Sequence, residues 1–388
     1  MLTFQHMPNE NYAAAESSVE GGKCRIEFTP SPHRGIAAMW FLCRIACPEN
    51  EVLPVRTIVR LKNIQGMLGG GAGLFLPVIR FGSGDWKRLP RGRRIVGPDS
   101  RIHLEWELET PPPGTFFDLA FSFPYEEAQL EKLLCDTGSY WNVDEIGVTG
   151  ADHRILRLSN RYGKKEEPDR GLYLLARQHA GEVSGSWVLD GILRRFAERR
   201  PAITVWCVPF VDPDGIANGD YGKDSFPHDM NRAWGPYEYM RRETKIIGAD
   251  LREWHSRILP EQSFVMDFHS PGAEETGVYA YCSDEEKKAF PSRRTVEILE
   301  QIGAALGTYS QTPFIKARGY QKFSAWGNFA SLSDFCLWTV PVPYASFETS
   351  YFEAGGRTLT PEHYQEIGSR IADEIQSVLV KDSSSARP

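Results

Sequence analysis

The chain has 388 residues, 41% hydrophobic and 24% charged, with ten tryptophans, ample material for a folded core, and its length favours two domains over one. A net charge of −7 gives no global attraction to phosphate backbones or anionic lipid, so neither nucleic acid nor membrane is expected as a partner. Seven cysteines without a C-x-x-C pair fit reduced core thiols better than a disulfide framework.

In chain order, the stretch MLTFQHMPNENYAAAESSVEGGK lacks a basic segment followed by an apolar one, and no run of about 18 apolar residues occurs anywhere. A soluble, cytoplasmic protein is the expectation. From Gly22 to Tyr125 short β-rich runs, among them CRIEF, AAMWFLCRIAC, VRTIVRLKNI, GLFLPVIRF, IHLEWEL and FFDLAFSFPY, are broken by glycine and proline. They predict an antiparallel β-sandwich domain over residues 1–125. Cys43 and Cys47 lie in one such strand, where packing accounts for them. The glycine-rich GMLGGGAG lacks the Lys-Ser/Thr of a P-loop and reads as a hairpin connection.

After YEEAQLEKLLCDTG, a short helix, the grain changes. GLYLLA, SWVLDGILRRFAERR, ITVWCVPFV, FVMDF, the segment around Thr295 to Leu306, and VPYASFE alternate apolar strands with amphipathic helices. This predicts an α/β domain over 126–388, a mostly parallel mixed sheet flanked by helices. Thr360 caps the last helix, Pro361 suits its first turn, and Ile367, Ile371 and Ile375 recur every four residues. The tail KDSSSARP reads as disordered.

Reactive groups in open α/β sheets collect at the carboxyl ends of strands. Here GLYLLA runs into His179 and Glu182, FVMDF into His269, ITVWCVPFV into DPDG and then HDMNRAW, and VPYASF into Glu348. Two histidines and one carboxylate are a known catalytic zinc set that keeps a position for water. His179, Glu182 and His269 meet that count, the pair from one turn and the third from a distant strand, which ties metal binding to the folded state. Singly, each has a plainer account: H-x-x-E is usually a solvated turn, and a strand-end histidine or glutamate is usually structural. Their recurrence at four strand ends in one half of the chain shifts the balance toward a site.

Taken together and in order, ARQHAGEVSGSW, VDPDGIANGDYGKDSFPHDMNRAW, MDFHS and YASFE resemble the M14 zinc carboxypeptidases, and among them most the cytosolic carboxypeptidases. The resemblance spans roughly residues 130 to 380 and implies a zinc carboxypeptidase-like α/β fold. The β-sandwich that cytosolic carboxypeptidases carry in front is similar to the stretches around WFLCRIA and FSFPYEEA. It further implies one zinc ion per chain on His179, Glu182 and His269, and hydrolysis of the C-terminal residue of a peptide or protein. By the same resemblance Asp229 orients His179 through its other ring nitrogen, and Asn231 and Arg232 grip the free C-terminal carboxylate. Glu348 is then the general base that takes a proton from water and passes it to the leaving amine.

Two positions depart from the family's pattern. After N-G-x-Y cytosolic carboxypeptidases supply an arginine that polarises the scissile carbonyl; here Gly222 and Lys223 follow. Lys223 can replace its charge as a flexible point donor, or be a solvated loop lysine. The family's substrate-covering tyrosine falls on Trp326, with Tyr320 nearby. Lys316, Arg318 and Lys322 lie in the region that lines the specificity pocket of relatives, which leaves a C-terminal Glu or Asp open beside a plain solvated loop. Two other readings stay open. One is a zinc amidase of the aspartoacylase/succinylglutamate desuccinylase type, acting on N-acyl amino acids through the same residues. The other is a non-catalytic module that binds peptide termini, against which the presence of Glu348 speaks.

Overall fold

Along Lys23–Thr29 the residues alternate, with Cys24, Ile26 and Phe28 buried and their neighbours partly exposed, the period of a strand with one wet face. The computed structural model describes residues 1–33, 35, 37–72, 74–223, 229–235, 240–282, 293–317 and 330–381. It divides into one unit of Met1–Pro124, Gly215–Asp224 and Gly272–Glu275 and a second of Tyr125–Asp214, Ser225–Pro271 and Thr276–Pro388.

Among the described residues ten strands build the first unit: β1 (Thr3–Gln5), β2 (Ala13–Glu20), β3 (Lys23–Thr29), β4 (Leu42–Ala46), β5 (Arg56–Leu61), β6 (Val78–Phe81), β7 (Lys87–Arg88), β8 (Arg93–Val96), β9 (Ile102–Glu109) and β10 (Phe116–Ala120). They form two sheets, β1-β4-β10-β6-β7 and β2-β3-β5-β9-β8. Phe28 of the second sheet meets Phe4 of the first at 6.3 Å between ring centroids and Phe41, beside β4, at 5.3 Å. An aromatic core thus joins the two layers of a sandwich.

Neighbouring strands are antiparallel except β3 and β5, which pair in parallel from Cys24↔Thr57 to Phe28↔Leu61. The chain between them visits β4 in the opposite sheet, so it re-enters in the same direction. The glycine-rich stretch is likewise not a hairpin. It links β5 to β6 across the two sheets through short helical turns at Ile64–Gly66 and Gly70–Ala72.

The second unit rests on an eight-stranded sheet, β11-β12-β14-β13-β15-β18-β16-β17. Its strands are β11 (Asn142–Val148), β12 (Arg154–Ser159), β13 (Gly171–Ala176), β14 (Thr204–Val208), β15 (Phe264–His269), β16 (Val278–Tyr281), β17 (Ser310–Lys316) and β18 (Tyr344–Thr349). The central four, β14, β13, β15 and β18, run parallel. β13, β14 and β15 are buried over their whole length, as strands covered on both faces must be.

The covering helices are α1 (Glu127–Thr137), α2 (Val183–Arg199), α3 (Arg242–His255), α4 (Arg293–Leu306), α5 (Leu332–Trp338) and α6 (Pro361–Lys381). Ile247, Leu251 and Trp254 of α3 and Phe335 of α5 share one core with Tyr173, Leu175, Trp206 and Val265 of the sheet. α2 packs along β13, β15 and β18, with α6 against it. That crossing is close: a Cβ on Gly368 would lie 2.0 Å from Val188 O, and Ile367, Ile371 and Ile375 are all buried. No helix among the described residues is long and apolar enough to cross a membrane.

Candidate metal centre

Strand β13 ends at Ala176, and Arg177 then turns the chain with φ 65°, a left-handed conformation that costs a non-glycine residue on the order of 1–3 kcal/mol. The turn closes when the Glu182 N–H donates to His179 O at 3.1 Å, and Glu182 stands at the N-cap position of α2, its side chain turned to the histidines. Pairing of Leu175 with Asp267 and of Ala176 with Phe268 sets His269, the last residue of β15, beside this turn. Gly185 permits the approach, since a Cβ there would stand 2.5 Å from Phe268 O.

One donor atom from each of His179, Glu182 and His269 lies within 4.8 Å of the others, and the three residues are 4%, 1% and 2% exposed. The Glu182 carboxylate sits between the two imidazoles, Oε1 at 2.9 Å from His179 Nδ1 and Oε2 at 2.7 Å from His269 Nδ1. Each ring is held from behind by a second carboxylate. His179 Nε2 is 3.0 Å from Asp229 Oδ1, and His269 Nε2 is 2.7 Å from Asp267 Oδ2.

Both Nδ1 edges therefore face the Glu182 carboxylate, the arrangement in which outer carboxylates fix the tautomer and basicity of ligating histidines. Burial opposes charge on His269, but the carboxylates of Asp267 and Glu182 outweigh it and hold the imidazolium well above the usual histidine range. A buried site with this balance favours a cation, and its donor set suits a divalent transition metal.

Sequence reasoning named Asp229 and missed Asp267. Asp267 also accepts from Tyr344 Oη at 3.2 Å and from Gln178 Nε2, and Gln178 Oε1 accepts from Trp234 Nε1 at 2.8 Å. The available signal was the D-x-H spacing, which places both side chains on one face of a strand. Asp229 Oδ1 also accepts the Asn231 N–H at 2.8 Å. Asn231 Oδ1 accepts the Leu332 N–H at 3.1 Å, which leaves its NH2 end as the donor. Arg232, half-buried, donates from Nη1 to Asn231 O at 2.7 Å.

Glu348 pairs in register with His269 across parallel strands, so the two project from the same sheet face. Its other neighbour in register is Tyr279, whose ring centroid lies 3.4 Å from Lys316 Nζ. Lys223 belongs to the first unit, with its ammonium 5.9 Å from the Tyr221 ring centroid. Arg318, Tyr320, Lys322 and Trp326 fall outside the described residues.

A metallo-carboxypeptidase from Burkholderia cenocepacia superposes on the chain with a TM-score of 0.73, covering 100% of both chains at 17% identity. The chain has the metallo-carboxypeptidase fold. Another metallo-carboxypeptidase of this fold, from Pseudomonas aeruginosa and in complex with (2-guanidinoethylmercapto)succinic acid, covers 98% of the chain with a TM-score of 0.71 at 17% identity. Among curated relatives, cytosolic carboxypeptidase 2 of Danio rerio is 24% identical over 64% of the chain and 38% of its own length. Cytosolic carboxypeptidase 6 of Caenorhabditis elegans is 25% identical over 51% of the chain and 47% of its own length.

The chain thus spans less than half the length of these two relatives, and the resemblance to cytosolic carboxypeptidases inferred from four motifs is borne out. The succinylglutamate desuccinylase/aspartoacylase catalytic domain family matches residues 168–322, less than half of this carboxypeptidase-like chain. That stretch contains His179, Glu182, Asp229, Asn231, Arg232 and His269 but ends before Glu348.

Proposed function

We propose that the chain is a zinc-dependent metallocarboxypeptidase that removes the C-terminal residue of peptides or proteins. The observation that carries this reading is the buried His179–Glu182–His269 cluster at two adjacent strand ends, with Glu348 in register beside His269. Zinc held by these three residues would supply Lewis acidity toward the scissile carbonyl and the attacking water.

The chain's own groups carry the remaining work. Arg232 presents a planar donor fork and Asn231 an amide NH2, a pair suited to a free C-terminal carboxylate. Glu348 takes the proton of the attacking water on its carboxylate and delivers it to the leaving nitrogen, so one group acts first as base and then as acid. Asp229 and Asp267 hold the histidines in the tautomer whose Nδ1 lone pair would be available to a bound zinc ion. Lys223, on the sequence resemblance, is put forward to polarise the scissile carbonyl.

The match to the desuccinylase/aspartoacylase family favours a second reading, an amidase acting on N-acyl amino acids. The zinc-loaded chain should be offered peptides with free C-termini, the same peptides amidated, and a set of N-acyl amino acids, with products identified by mass spectrometry. Release of single C-terminal residues from free peptides alone is the expected result. Cleavage confined to the N-acyl amino acids would replace the first reading with the second.

A further inference from the structure

Arg177, between the end of β13 and His179, has no part in the chemistry above. It is 3% exposed, and among the described residues its guanidinium hydrogen bonds run to uncharged acceptors. Nε donates to Ala180 O at 2.6 Å, and Nη1 donates to Tyr125 O at 2.7 Å and to Ser186 Oγ at 3.5 Å. Ala180 sits inside the turn between His179 and Glu182, Ser186 lies in the first turn of α2, and Tyr125 comes just before α1.

The main chain of this segment is anchored as well. Ala176 O accepts the Val211 N–H at 3.1 Å and Arg177 O accepts the Asp212 N–H at 3.0 Å. A buried guanidinium hydrogen-bonded only to neutral groups is costly, and an apolar side chain of similar volume would be the cheaper filling. What an apolar side chain cannot do is tie Ala180, Ser186 and Tyr125 together. The arginine fork donates to several acceptors in a fixed plane, whereas lysine is a single flexible point.

We propose that Arg177 is a positioning residue of the metal centre, holding the His179–Glu182 turn in its ligating shape before any metal arrives. The proposal rests on reading this turn as a metal site. Its mechanism is preorganisation: the ligands need little ordering on binding, so metal affinity, and not only stability, depends on Arg177.

The test uses the full chain stripped of metal and titrated with Zn2+ against a chromophoric chelator, with the fold followed by near- and far-UV circular dichroism. Arg177→Met should weaken zinc binding roughly 10- to 100-fold, the usual range for groups that support ligands, and Arg177→Lys should weaken it less. Arg157→Met is the control. Arg157 is another buried arginine of the same unit, paired with Asp250 at 2.7 Å and Asp144 at 2.8 Å, and its loss should lower the melting temperature while leaving zinc affinity unchanged.

A folded Arg177→Met chain with wild-type zinc affinity overturns the proposal, as does an equal loss of affinity in Arg157→Met. If Arg177→Met does not fold, Arg177→Lys decides: weakened zinc binding supports the proposal and unchanged binding overturns it. A wild-type chain that takes up no zinc sinks the metal-site reading itself, a different result from a zinc-binding wild type with an indifferent variant.

Discussion

Glu348 stands at the end of a buried strand, paired with His269 on one side and Tyr279 on the other, so its carboxylate is carried by a rigid row and not by a loop. Glu348→Gln keeps the shape and removes proton acceptance. Fold and zinc content should persist while kcat falls by roughly 10² to 10⁴; near-normal turnover would make Glu348 structural. Arg232→Lys should raise KM sharply for substrates with a free carboxylate and leave zinc content alone, because lysine cannot reproduce a bidentate grip. Equal rates on free and amidated peptides in the wild type would remove the basis for that expectation.

Asp267→Asn keeps a polar group behind His269 but removes the negative charge that favours its Nδ1-outward form. Zinc affinity should drop roughly 10- to 100-fold, read by chelator competition, and a wild-type value would assign Asp267 to packing alone. Asp267 also explains a gap in the sequence reading. His179 and Glu182 are recognisable because they follow a strand as polar residues in a turn, and Asp229 through the resemblance of HDMNRAW to the family's motif, while Asp267 lies inside the apolar run FVMDF and looks like a strand residue until its partners are seen.

At the scale of elements, the approach of α2 to β15 decides whether the proposed ligands meet. Gly185 lies in the first turns of α2, where alanine would be intrinsically better by about 1 kcal/mol. The added methyl, however, would stand 2.5 Å from Phe268 O, and overpacking of this kind costs about 1–3 kcal/mol. The second effect is the larger, so Gly185→Ala should lower the melting temperature and weaken zinc binding at least tenfold. A stabilised variant with intact zinc affinity would show that the helix can move without consequence for the site.

Element types were largely legible in the sequence, because β-rich runs with turn signals and the strand–helix alternation are local patterns. Partnerships were not. The parallel β3–β5 pair and the sheet-to-sheet route of the glycine-rich stretch depend on which sheet β4 and β6 join, a long-range choice that no local pattern records.

For the whole molecule, metal and fold should be linked, since the three proposed ligands come from one turn and one distant strand. Zinc at about 1,000 times its dissociation constant would stabilise the folded state by about 4 kcal/mol, which in a unit of this size raises the melting temperature by roughly 2–4 °C per kcal/mol. Calorimetry of the chelator-treated chain with and without added zinc should show that rise, and identical melting curves would break the link. The fold class was readable in advance because the sheet's composition repeats the βα alternation. That β13 would neighbour β15 was not, because β14 comes between them in sequence and takes the opposite flank of β13.

The same strand order has a consequence for biosynthesis. His269 follows Glu182 by 87 residues, which at 5–20 residues per second is roughly 4–17 s of translation. If His179, Glu182 and His269 hold the metal as proposed, the nascent chain would offer during that interval only a two-ligand turn, to which a divalent ion would bind weakly. On the proposed reading, the choice of metal would wait until β15 has emerged and docked against β13, with Glu348 later still in the chain. On the same reading, synthesis without zinc would leave chains whose strand order is complete and whose last-arriving proposed ligand has no ion to close on.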